Sequence, residues 1–397
     1  MPAAIPSLQL LRNARLYAPD PRGVVDVLIA GERIAAVGRD LESPPKSWGC
    51  TVHELDGALV LPGLVDAHVH LSGGGGESGP ETRVPPLQFT QLTMAGVTSV
   101  VGLLGTDGTT RHPAELLAAT RAMQRLGLSA WMWTGAYPVP TPTLTGSVRG
   151  DIVTVEQVIG AGEIAISDHR SSQPTFDELA RLAAECHVGG LLAGKAGVLH
   201  LHLGDGRRGL ELVRRILLET EIPARVLQPT HCNRNASLWV EAMELGGRGL
   251  PVDITAFPPD DDDEALPAAV AVAQWLDAGT PTDRLTLSSD GGGCLPVWDR
   301  DGQMVRMDVG SSHTLLQTLG VLYAAGRPLE AILPLCTRNV ARQLRLRGKG
   351  EVAVGADADL LVVDDALTVR ALWARGRQLV TDGAALVRGP FESGGAA

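Results

Sequence analysis

The strongest constraint on the fold is a repeated alternation of strand-like and helix-like segments between residues 61 and 345. Apolar runs at 97–101 and 285–287 have the composition of buried strands, whereas 178–186 and 210–218 carry apolar residues at helical spacing. A chain that repeats strand and then helix forms a parallel sheet, and a repeat of this length favours closure into a barrel. We therefore predict an α/β fold whose parallel sheet closes into a barrel over residues 61–345.

The two ends of the chain have a different pattern, in which short apolar runs alternate with turn residues. These runs lie at 8–11, 25–29 and 34–37 near the N-terminus, and at 359–363, 369–373 and 378–380 near the C-terminus, with a turn predicted at 19–23. Neither end has enough strands for an independent sandwich. We predict one small β-sandwich domain built from residues 1–60 and 346–397, with two separate β appendages as the alternative.

The composition argues against several classes of protein. The net charge is −11 and Lys occurs only at Lys46, Lys195 and Lys349, so no basic patch is evident and we expect no nucleic-acid partner. The five cysteines form no CxxC pair, which argues against a disulfide framework or a structural zinc knot. No apolar run reaches transmembrane length and no signal-like segment begins the sequence. We therefore expect a soluble cytoplasmic protein that has no membrane partner.

Candidate metal ligands end or flank several of the apolar runs. His68 and His70 are two positions apart in the run at 64–70, so in a strand both imidazoles lie on one face. Two neutral imidazoles on a rigid strand are suitable ligands for a metal ion. The alternative is a strand that emerges into solvent with two incidental histidines. The Pro-Gly turn at 62–63 and the glycines that follow His70 favour the metal.

Two carboxylates extend this pattern. Glu163 is a single acid at the start of the apolar run 164–166, where its two oxygens are able to bridge two cations. Asp290 follows the run at 285–289 and precedes three glycines, which is the position of a metal ligand and general base at the top of a barrel strand. The alternatives are a surface glutamate at a strand start and a loop aspartate in a turn.

Two later segments provide imidazoles for a second metal ion. His200 and His202 again share one strand face, and the residues alone do not choose between them. His231 follows the short run at 227–230. The alternative for each segment is a histidine that is satisfied in the core or at the surface.

Two other segments have simpler interpretations. The four glycines at 73–76 lack the spacing of a phosphate loop and predict a loop that allows close approach of a ligand. The acidic run at 260–264 lacks the spacing of a calcium loop and predicts a solvated loop that leads into a helix.

With these residues in view, the sequence resembles the amidohydrolase superfamily and, within it, the isoaspartyl dipeptidase family. The resemblance extends from Leu10 to Phe391 and rests on HVHLSGGGGESGP at 68–80, AGVTSVVGLLGT at 95–106, SDHR at 167–170 and PTHCNRN at 229–235. That family has a (β/α)8 barrel with a small β domain from both chain ends, and it cleaves β-linked dipeptides with two zinc ions. The resemblance implies the same fold, a small dipeptide substrate, two Zn²⁺ per subunit and a homo-oligomer, which in the family is an octamer.

The resemblance also implies roles for individual residues. His68 and His70 are expected to hold one zinc ion, with Asp290 as a further ligand and as general base. His202, rather than His200, is expected to hold the second ion together with His231. Metal-bound hydroxide is expected to attack the amide carbonyl, while the phenol of Tyr137 stabilises the developing oxyanion. The remaining substrate contacts are expected from Glu77 on the α-ammonium group, from Arg170 and Arg234 on carboxylate, and from Gly75 and Thr106 through their backbone.

The sequence departs from that family at two positions. The family bridges its two metals with a carboxylated lysine, but alignment backwards from the SDHR segment places Glu163 there. A glutamate is roughly 3–4 Å shorter in reach than a lysine carbamate, yet it retains a bridging anion. We predict that Glu163 bridges the metals, with a carboxylated Lys195 as the alternative. Cys294 stands where the family has a serine that contacts substrate, and a thiol donates a weaker hydrogen bond.

Three functions are compatible with these features. The leading hypothesis is a metal-dependent hydrolase of β-aspartyl dipeptides. The second is a related amidohydrolase that acts on a cyclic amide or an N-acyl amino acid, and the third is a catalytically silent structural relative. The charged set of Glu77, Arg170 and Arg234 favours a zwitterionic, acidic dipeptide, and the retained metal ligands argue against a silent scaffold.

Overall fold

The computed structural model of the protein describes residues 8–257, 265–298 and 304–393. The acidic run at 260–264 lies outside these described residues. The strands are β1 Leu8–Tyr17, β2 Pro21–Ala30, β3 Arg33–Gly38, β4 Cys50–Glu54, β5 Leu59–Pro62, β6 Leu64–Val69, β7 Val97–Gly102, β8 Ser129–Thr134, β9 Val158–Ile166, β10 Val198–Leu203, β11 Leu227–Thr230, β12 Val252–Thr255, β13 Leu285–Ser288, β14 Cys294–Trp298, β15 Met304–Val309, β16 Leu360–Val363, β17 Val369–Ala374, β18 Arg377–Thr381 and β19 Ala384–Ala385.

The helices lie mostly between the strands from β6 to β13. They are α1 Phe89–Thr93, α2 Pro113–Leu126, α3 Val148–Thr154, α4 Phe176–Ala193, α5 Glu211–Glu219, α6 Ala236–Gly247, α7 Ala268–Asp277, α8 His313–Ala324, α9 Leu329–Ile332 and α10 Arg338–Gln343. Short 3-10 helices lie at Lys46–Trp48, Pro80–Thr82, Ala224–Val226 and Leu333–Cys336. In the part of the chain that the structure describes, no helix is both long enough and apolar enough to cross a membrane.

The central feature is a curled sheet of six parallel strands in the order β11-β10-β9-β8-β7-β6. Strands β12 and β13 form a separate parallel pair. The backbone N–H of Cys232 donates to the carbonyl of Asp253 at 3.2 Å, which joins the end of β11 to β12. On the other side, the N–H of His70 donates to the carbonyl of Gly291 at 2.8 Å, and Val69 pairs in parallel with Gly291. The β12–β13 pair therefore connects the two edges of the six-stranded sheet.

The central strands of this sheet are buried over their whole length because both faces are covered. All residues of β6, β7, β9 and β10 are buried, as expected for parallel strands in an α/β fold. Helix α4 begins with a capping box between Thr175 and Glu178 and ends at Gly194 in the left-handed conformation. The helices predicted at 178–186 and 210–218 are confirmed as parts of α4 and α5, the latter shifted by one residue.

A nine-stranded sheet combines strands from both ends of the chain. Its order is β19-β18-β17-β16-β5-β1-β2-β3, with β4 paired to β1. The joining pair is antiparallel, with Leu59 of β5 opposite Val363 of β16. The six terminal strands predicted from the sequence are confirmed. The turn predicted at 19–23 was placed too far along, because β2 begins at Pro21 and pairs with Tyr17 of β1.

Candidate active site

The predicted metal ligands meet at the carboxyl ends of the parallel strands. His68 lies near the end of β6, Glu163 within β9, His202 near the end of β10, and His70, His231 and Asp290 just after β6, β11 and β13. Each of the six side chains belongs to a residue that is at most 5% exposed. His231 and Asp290 adopt left-handed backbone conformations, with φ of 57° and 55°. Non-glycine residues rarely adopt this conformation, and such positions concentrate at functional sites.

The carboxylate of Glu163 lies among four imidazoles. Its Oε2 is 2.9 Å from His202 Nδ1, 3.4 Å from His231 Nε2 and 3.6 Å from His68 Nε2. Its Oε1 is 3.6 Å from His70 Nε2. The two oxygens therefore face different histidines. The sequence suggested that Glu163 enters a strand, but it lies within β9, three residues before its end.

Asp290 contacts the same cluster through the two histidines of the first pair. Its Oδ1 is 3.1 Å from His70 Nε2 and 3.4 Å from His68 Nε2. Both Asp290 Oδ1 and His68 Nε2 are buried atoms that make no hydrogen bond of good geometry within the described residues. Buried polar atoms of this kind call for an explanation, such as an ion bound between them.

Three groups of side chains have the composition and spacing of a metal site. In each group, one nitrogen or oxygen per residue lies within 4.8 Å of the others, and the groups are His68 with His70 and Glu163, His68 with His231 and Asp290, and Glu163 with His202 and His231. Imidazole and carboxylate are ligands for zinc and other divalent transition metals. The donor set and the unsatisfied buried atoms therefore fit a divalent metal.

Electrostatics in the cluster keep the carboxylates ionised. Burial raises the pKa of Glu163, but His68 and His202 outweigh this effect and hold the pKa well below its usual range. Burial also raises the pKa of Asp290, but contacts with His68 and His70 outweigh this effect and hold the pKa well below its usual range. Burial lowers the pKa of His68, but Glu163 and Asp290 raise it overall to about 9. Burial lowers the pKa of His231 to about 3. Two carboxylates ready to bind a cation therefore persist at neutral pH.

The structure brings His202, rather than His200, into a metal-ligand group. His200 Nε2 is 2.8 Å from His68 Nδ1, and the His200 ring stacks on Trp133 with centroids 5.1 Å apart. His200 therefore contacts a candidate ligand on the side away from Glu163. Lys195, the alternative bridging residue, donates from Nζ to the carbonyls of Ile152 and Val155 at 2.7 and 2.6 Å. These contacts hold its amine at the end of α3, so the alternative of a bridging Lys195 is wrong.

Tyr137 and the predicted substrate residues surround the second histidine group. The Tyr137 hydroxyl is 2.8 Å from His202 Nδ1, and burial raises the pKa of this phenol well above its usual value. Arg170 Nη1 is 3.5 Å from Glu77 Oε1, which also accepts a hydrogen bond from the Thr106 hydroxyl at 2.9 Å. Arg234 lies with its guanidinium carbon 5.6 Å from the centre of the Phe257 ring.

The glycine loop forms one wall beside these residues. Gly75 has a φ of 74°, and a Cβ built there would lie 3.3 Å from Cβ of Cys294 and 2.6 Å from the carbonyl of Thr82. Only glycine fits this conformation and space. Arg111 fixes the loop by donating to the carbonyls of Gly74 and Gly75 at 2.8 and 3.1 Å. Burial raises the pKa of the Cys294 thiol to about 12, so the thiol is neutral at pH 7.

Three buried aspartates that hydrogen-bond to candidate ligands or to residues near them were not identified from the sequence. They are Asp66, Asp168 and Asp253. Asp168 Oδ2 is 3.0 Å from His202 Nε2. Asp66 accepts from the hydroxyls of Ser289 and Ser312 and from the N–H of Ser289. Asp253 accepts from the hydroxyls of Thr230, Thr286 and Ser288. Asp66 and Asp253 could have been found as acidic residues in strands that are otherwise largely apolar. Asp168 could have been found as part of the SDHR segment.

Comparison with known proteins identifies the family. The sequence profile of the amidohydrolase family matches residues 59–381, which is most of the chain. The chain belongs to the amidohydrolase family. It is also similar to the crystal structure of a beta-aspartyl dipeptidase from the thermophilic keratin-degrading Fervidobacterium islandicum AW-1, in complex with a beta-Asp-Leu dipeptide. The identity is 39%, the TM-score is 0.93, and 99% of this chain and 100% of that chain are covered. The resemblance inferred from the sequence motifs is confirmed.

Other proteins similar in sequence to this chain have different names. An imidazolonepropionase of Anaeromyxobacter sp. strain K is 35% identical over 89% of both chains. Adenine deaminase 2 of Carboxydothermus hydrogenoformans is 24% identical over 91% of this chain, which spans 55% of that protein. Proteins with different names thus match this chain in sequence, so the substrate has to be argued from the site.

Proposed function

We propose that this protein is a metal-dependent hydrolase that cleaves the isopeptide bond of β-aspartyl dipeptides. The observation that carries the proposal is the similarity over 99% of the chain to a beta-aspartyl dipeptidase that was crystallised with β-Asp-Leu. The cluster of imidazoles and carboxylates is the chemical support, because hydrolysis of an unactivated amide at neutral pH requires a strong nucleophile and an electrophilic group.

The ligand groups support two divalent metal ions, which we take to be Zn²⁺. His68 and His70, with Asp290, would hold one ion, and His202 and His231 would hold the other. The Glu163 carboxylate contacts both histidine pairs and would provide an anion to each ion. A metal bound here supplies Lewis acidity and a water molecule whose pKa is low enough for nucleophilic attack. Glu163 needs no carbon dioxide to become an anion, because its pKa already lies well below neutrality.

Asp290 and Tyr137 are the residues we assign to the chemical step. Asp290 Oδ1 has no hydrogen-bond partner within the described residues and is positioned to accept the proton of the attacking water. It then delivers that proton to the amide nitrogen of the leaving amino acid. The phenol of Tyr137 stays protonated because its pKa is raised, so it is able to donate a hydrogen bond to the developing oxyanion.

The charges beside the metal cluster match a zwitterionic substrate. We assign Glu77 to the α-ammonium group and Arg170 and Arg234 to carboxylate. The Nε and Nη2 atoms of Arg170 already contact Asp168, so the free side of its guanidinium is Nη1, which faces Glu77. Gly75, Thr106 and Cys294 complete the substrate site, with the neutral thiol of Cys294 as a weak donor.

The proposal also includes the closure of the barrel, the form of the terminal domain and the assembly of the protein. We propose that the eight parallel strands form a closed (β/α)8 TIM-like barrel over residues 61–345. Residues 1–60 and 346–397 then form a small β-sandwich domain, for which the shared sheet order is the support. We further propose a homo-oligomer, for which the family's octamer is the precedent, that acts in the cytoplasm.

The test is a comparison of substrates with the purified, zinc-loaded protein. We expect release of leucine from β-Asp-Leu, and no hydrolysis of α-Asp-Leu or of the cyclic amide dihydroorotate. Preferential opening of dihydroorotate would replace the proposal with the cyclic-amide alternative. No hydrolysis of any of the three, in protein that demonstrably contains metal, would refute it.

A further inference from the structure

Asp168 contacts the side chains of both His202 and Arg170. One of its oxygens, Oδ2, is 3.0 Å from His202 Nε2 and 2.8 Å from Arg170 Nη2. Its other oxygen accepts hydrogen bonds from Arg170 Nε at 3.1 Å and from the Arg170 backbone N–H at 2.7 Å. Asp168 is 5% exposed, so these contacts are shielded from solvent. A single buried carboxylate therefore contacts both a candidate metal ligand and a candidate substrate-binding arginine.

The geometry around His202 determines which of its nitrogens is able to bind a metal. Nδ1 lies 2.9 Å from Glu163, on the side of the metal-ligand group, whereas Nε2 lies on the side of Asp168. A metal on Nδ1 requires that the ring proton is on Nε2. Glu163 by itself favours a proton on Nδ1, where it would accept the hydrogen bond. Asp168 opposes this effect because it stabilises the proton on Nε2.

The same carboxylate also orients Arg170. Arg170 Nη2 and His202 Nε2 are 3.3 Å apart, and in the metal-competent tautomer both atoms are hydrogen-bond donors. Two donors this close repel each other unless an acceptor lies between them. Asp168 Oδ2 accepts hydrogen bonds from both donors. It thereby holds the guanidinium of Arg170 in the orientation that directs Nη1 towards Glu77.

We infer that Asp168 is a positioning residue that supports both metal binding at His202 and substrate binding at Arg170. The inference about Arg170 rests on the proposed function, whereas the inference about His202 requires only that a metal binds. Asp168 lies in none of the metal-ligand groups, because the imidazole of His202 stands between it and Glu163. It therefore acts through its neighbours and is distinct from the six ligands and from the catalytic residues.

The test uses the Asp168→Asn, Arg170→Gln and double variants of the full chain, with Asp283→Asn as a matched control. Asp283 is an aspartate with a 71% exposed side chain on the loop before β13. Zn²⁺ affinity is measured by competition with a chromophoric chelator, and the KM for β-Asp-Leu is measured on zinc-saturated protein. Thermal melts of the metal-free variants establish that each is folded.

We expect Asp168→Asn to weaken zinc binding about tenfold to hundredfold, as found for residues that support metal-binding histidines. Arg170→Gln and the control are expected to bind zinc within about twofold of the parent protein. The KM is expected to rise in both single variants, and the double variant is expected to match Arg170→Gln, because Asp168 affects the substrate only through that arginine.

Zinc affinity in Asp168→Asn that equals the parent protein would overturn the inference, as would effects on KM that multiply in the double variant. If Asp168→Asn does not fold, Asp168→Glu replaces it, with the same expectation that zinc affinity and KM change while the control does not. A protein that fails to hydrolyse β-Asp-Leu but loses zinc affinity in the variant refutes the proposed function and leaves the role of Asp168 at His202 supported.

Discussion

Replacement of Glu163 by glutamine provides the most direct test of how this chain holds metal. The change retains the shape of the side chain and removes its negative charge. Two of the three metal-ligand groups include Glu163, and the group that does not contains His68, His231 and Asp290. We therefore expect the metal content of purified Glu163→Gln to fall from two ions per chain to one or fewer.

The size of the effect follows from the distances in the cluster. The nearest imidazole nitrogens lie 2.9–3.6 Å from the carboxylate oxygens, so a cation held by these nitrogens lies within about 4 Å of the Glu163 charge. A pair of unit charges at about 4 Å is worth about 4 kcal/mol at an effective dielectric constant of about 20. A loss of about 4 kcal/mol corresponds to about a thousandfold weaker binding.

The assay is elemental analysis after gel filtration in metal-free buffer, followed by zinc titration against a chelator. Glu77→Gln is the matched control, because Glu77 is a carboxylate that contacts Arg170 and Thr106 and belongs to none of the three metal-ligand groups. We expect Glu77→Gln to retain two ions. Glu163→Gln protein with the same stoichiometry and affinity as the control would show that Glu163 does not bridge the metals.

Three further predictions concern catalysis, pH and stability. Asp290→Asn is expected to lower kcat for β-Asp-Leu about 10²–10⁴-fold because the general base is lost, and near-parental turnover would contradict this role. The pKa of His68 in the metal-free protein is raised to about 9 from 6.5, so its stabilising contribution is full below pH 6.5 and is lost as the pH rises to 9. Urea unfolding is therefore expected to show falling stability over this range in metal-free protein, and a flat or rising profile would contradict it. Lys349→Met is expected to destabilise the protein by about 3–5 kcal/mol in the same assay, because it leaves the buried Asp359, 2.7 Å from the lysine amine, without its cation. A change of less than about 1 kcal/mol would show that Lys349 is not needed there.

Much of the architecture could be predicted because it depends on local patterns. The strands at both ends and the helices α4 and α5 were predicted from the period of apolar residues and from turn chemistry. His68, His70 and Glu163 were found because histidines two positions apart on a strand share a face and because acids are rare in buried strands. His231 and Asp290 were found because each directly follows an apolar run, and His202 was selected by the family resemblance. The turn at 19–23 was misplaced because β2 begins at Pro21, paired with β1, and pairing across strands is not a local property.

Some contacts could not be predicted because they depend on residues far apart in the sequence. Strand periodicity does not distinguish His200 from His202, and the choice of His202 came from the family resemblance. The position of Glu163 on the neighbouring strand gives the physical reason for that choice. Asp168 was overlooked because its importance comes from two partners, one on β10 and one two residues further along its own loop.

The sequence by itself determined which residue types are present and which share a strand face, because backbone periodicity fixes the direction of side chains within one element. It also determined that position 163 carries a glutamate where the family resemblance implies a lysine, since that is a matter of residue identity. Only the tertiary structure decided which nitrogen of His202 faces Glu163, that Lys195 points away, and that Asp168 joins the two halves of the site. These outcomes depend on register and distance between strands, which are set when the sheet assembles and not by any single segment.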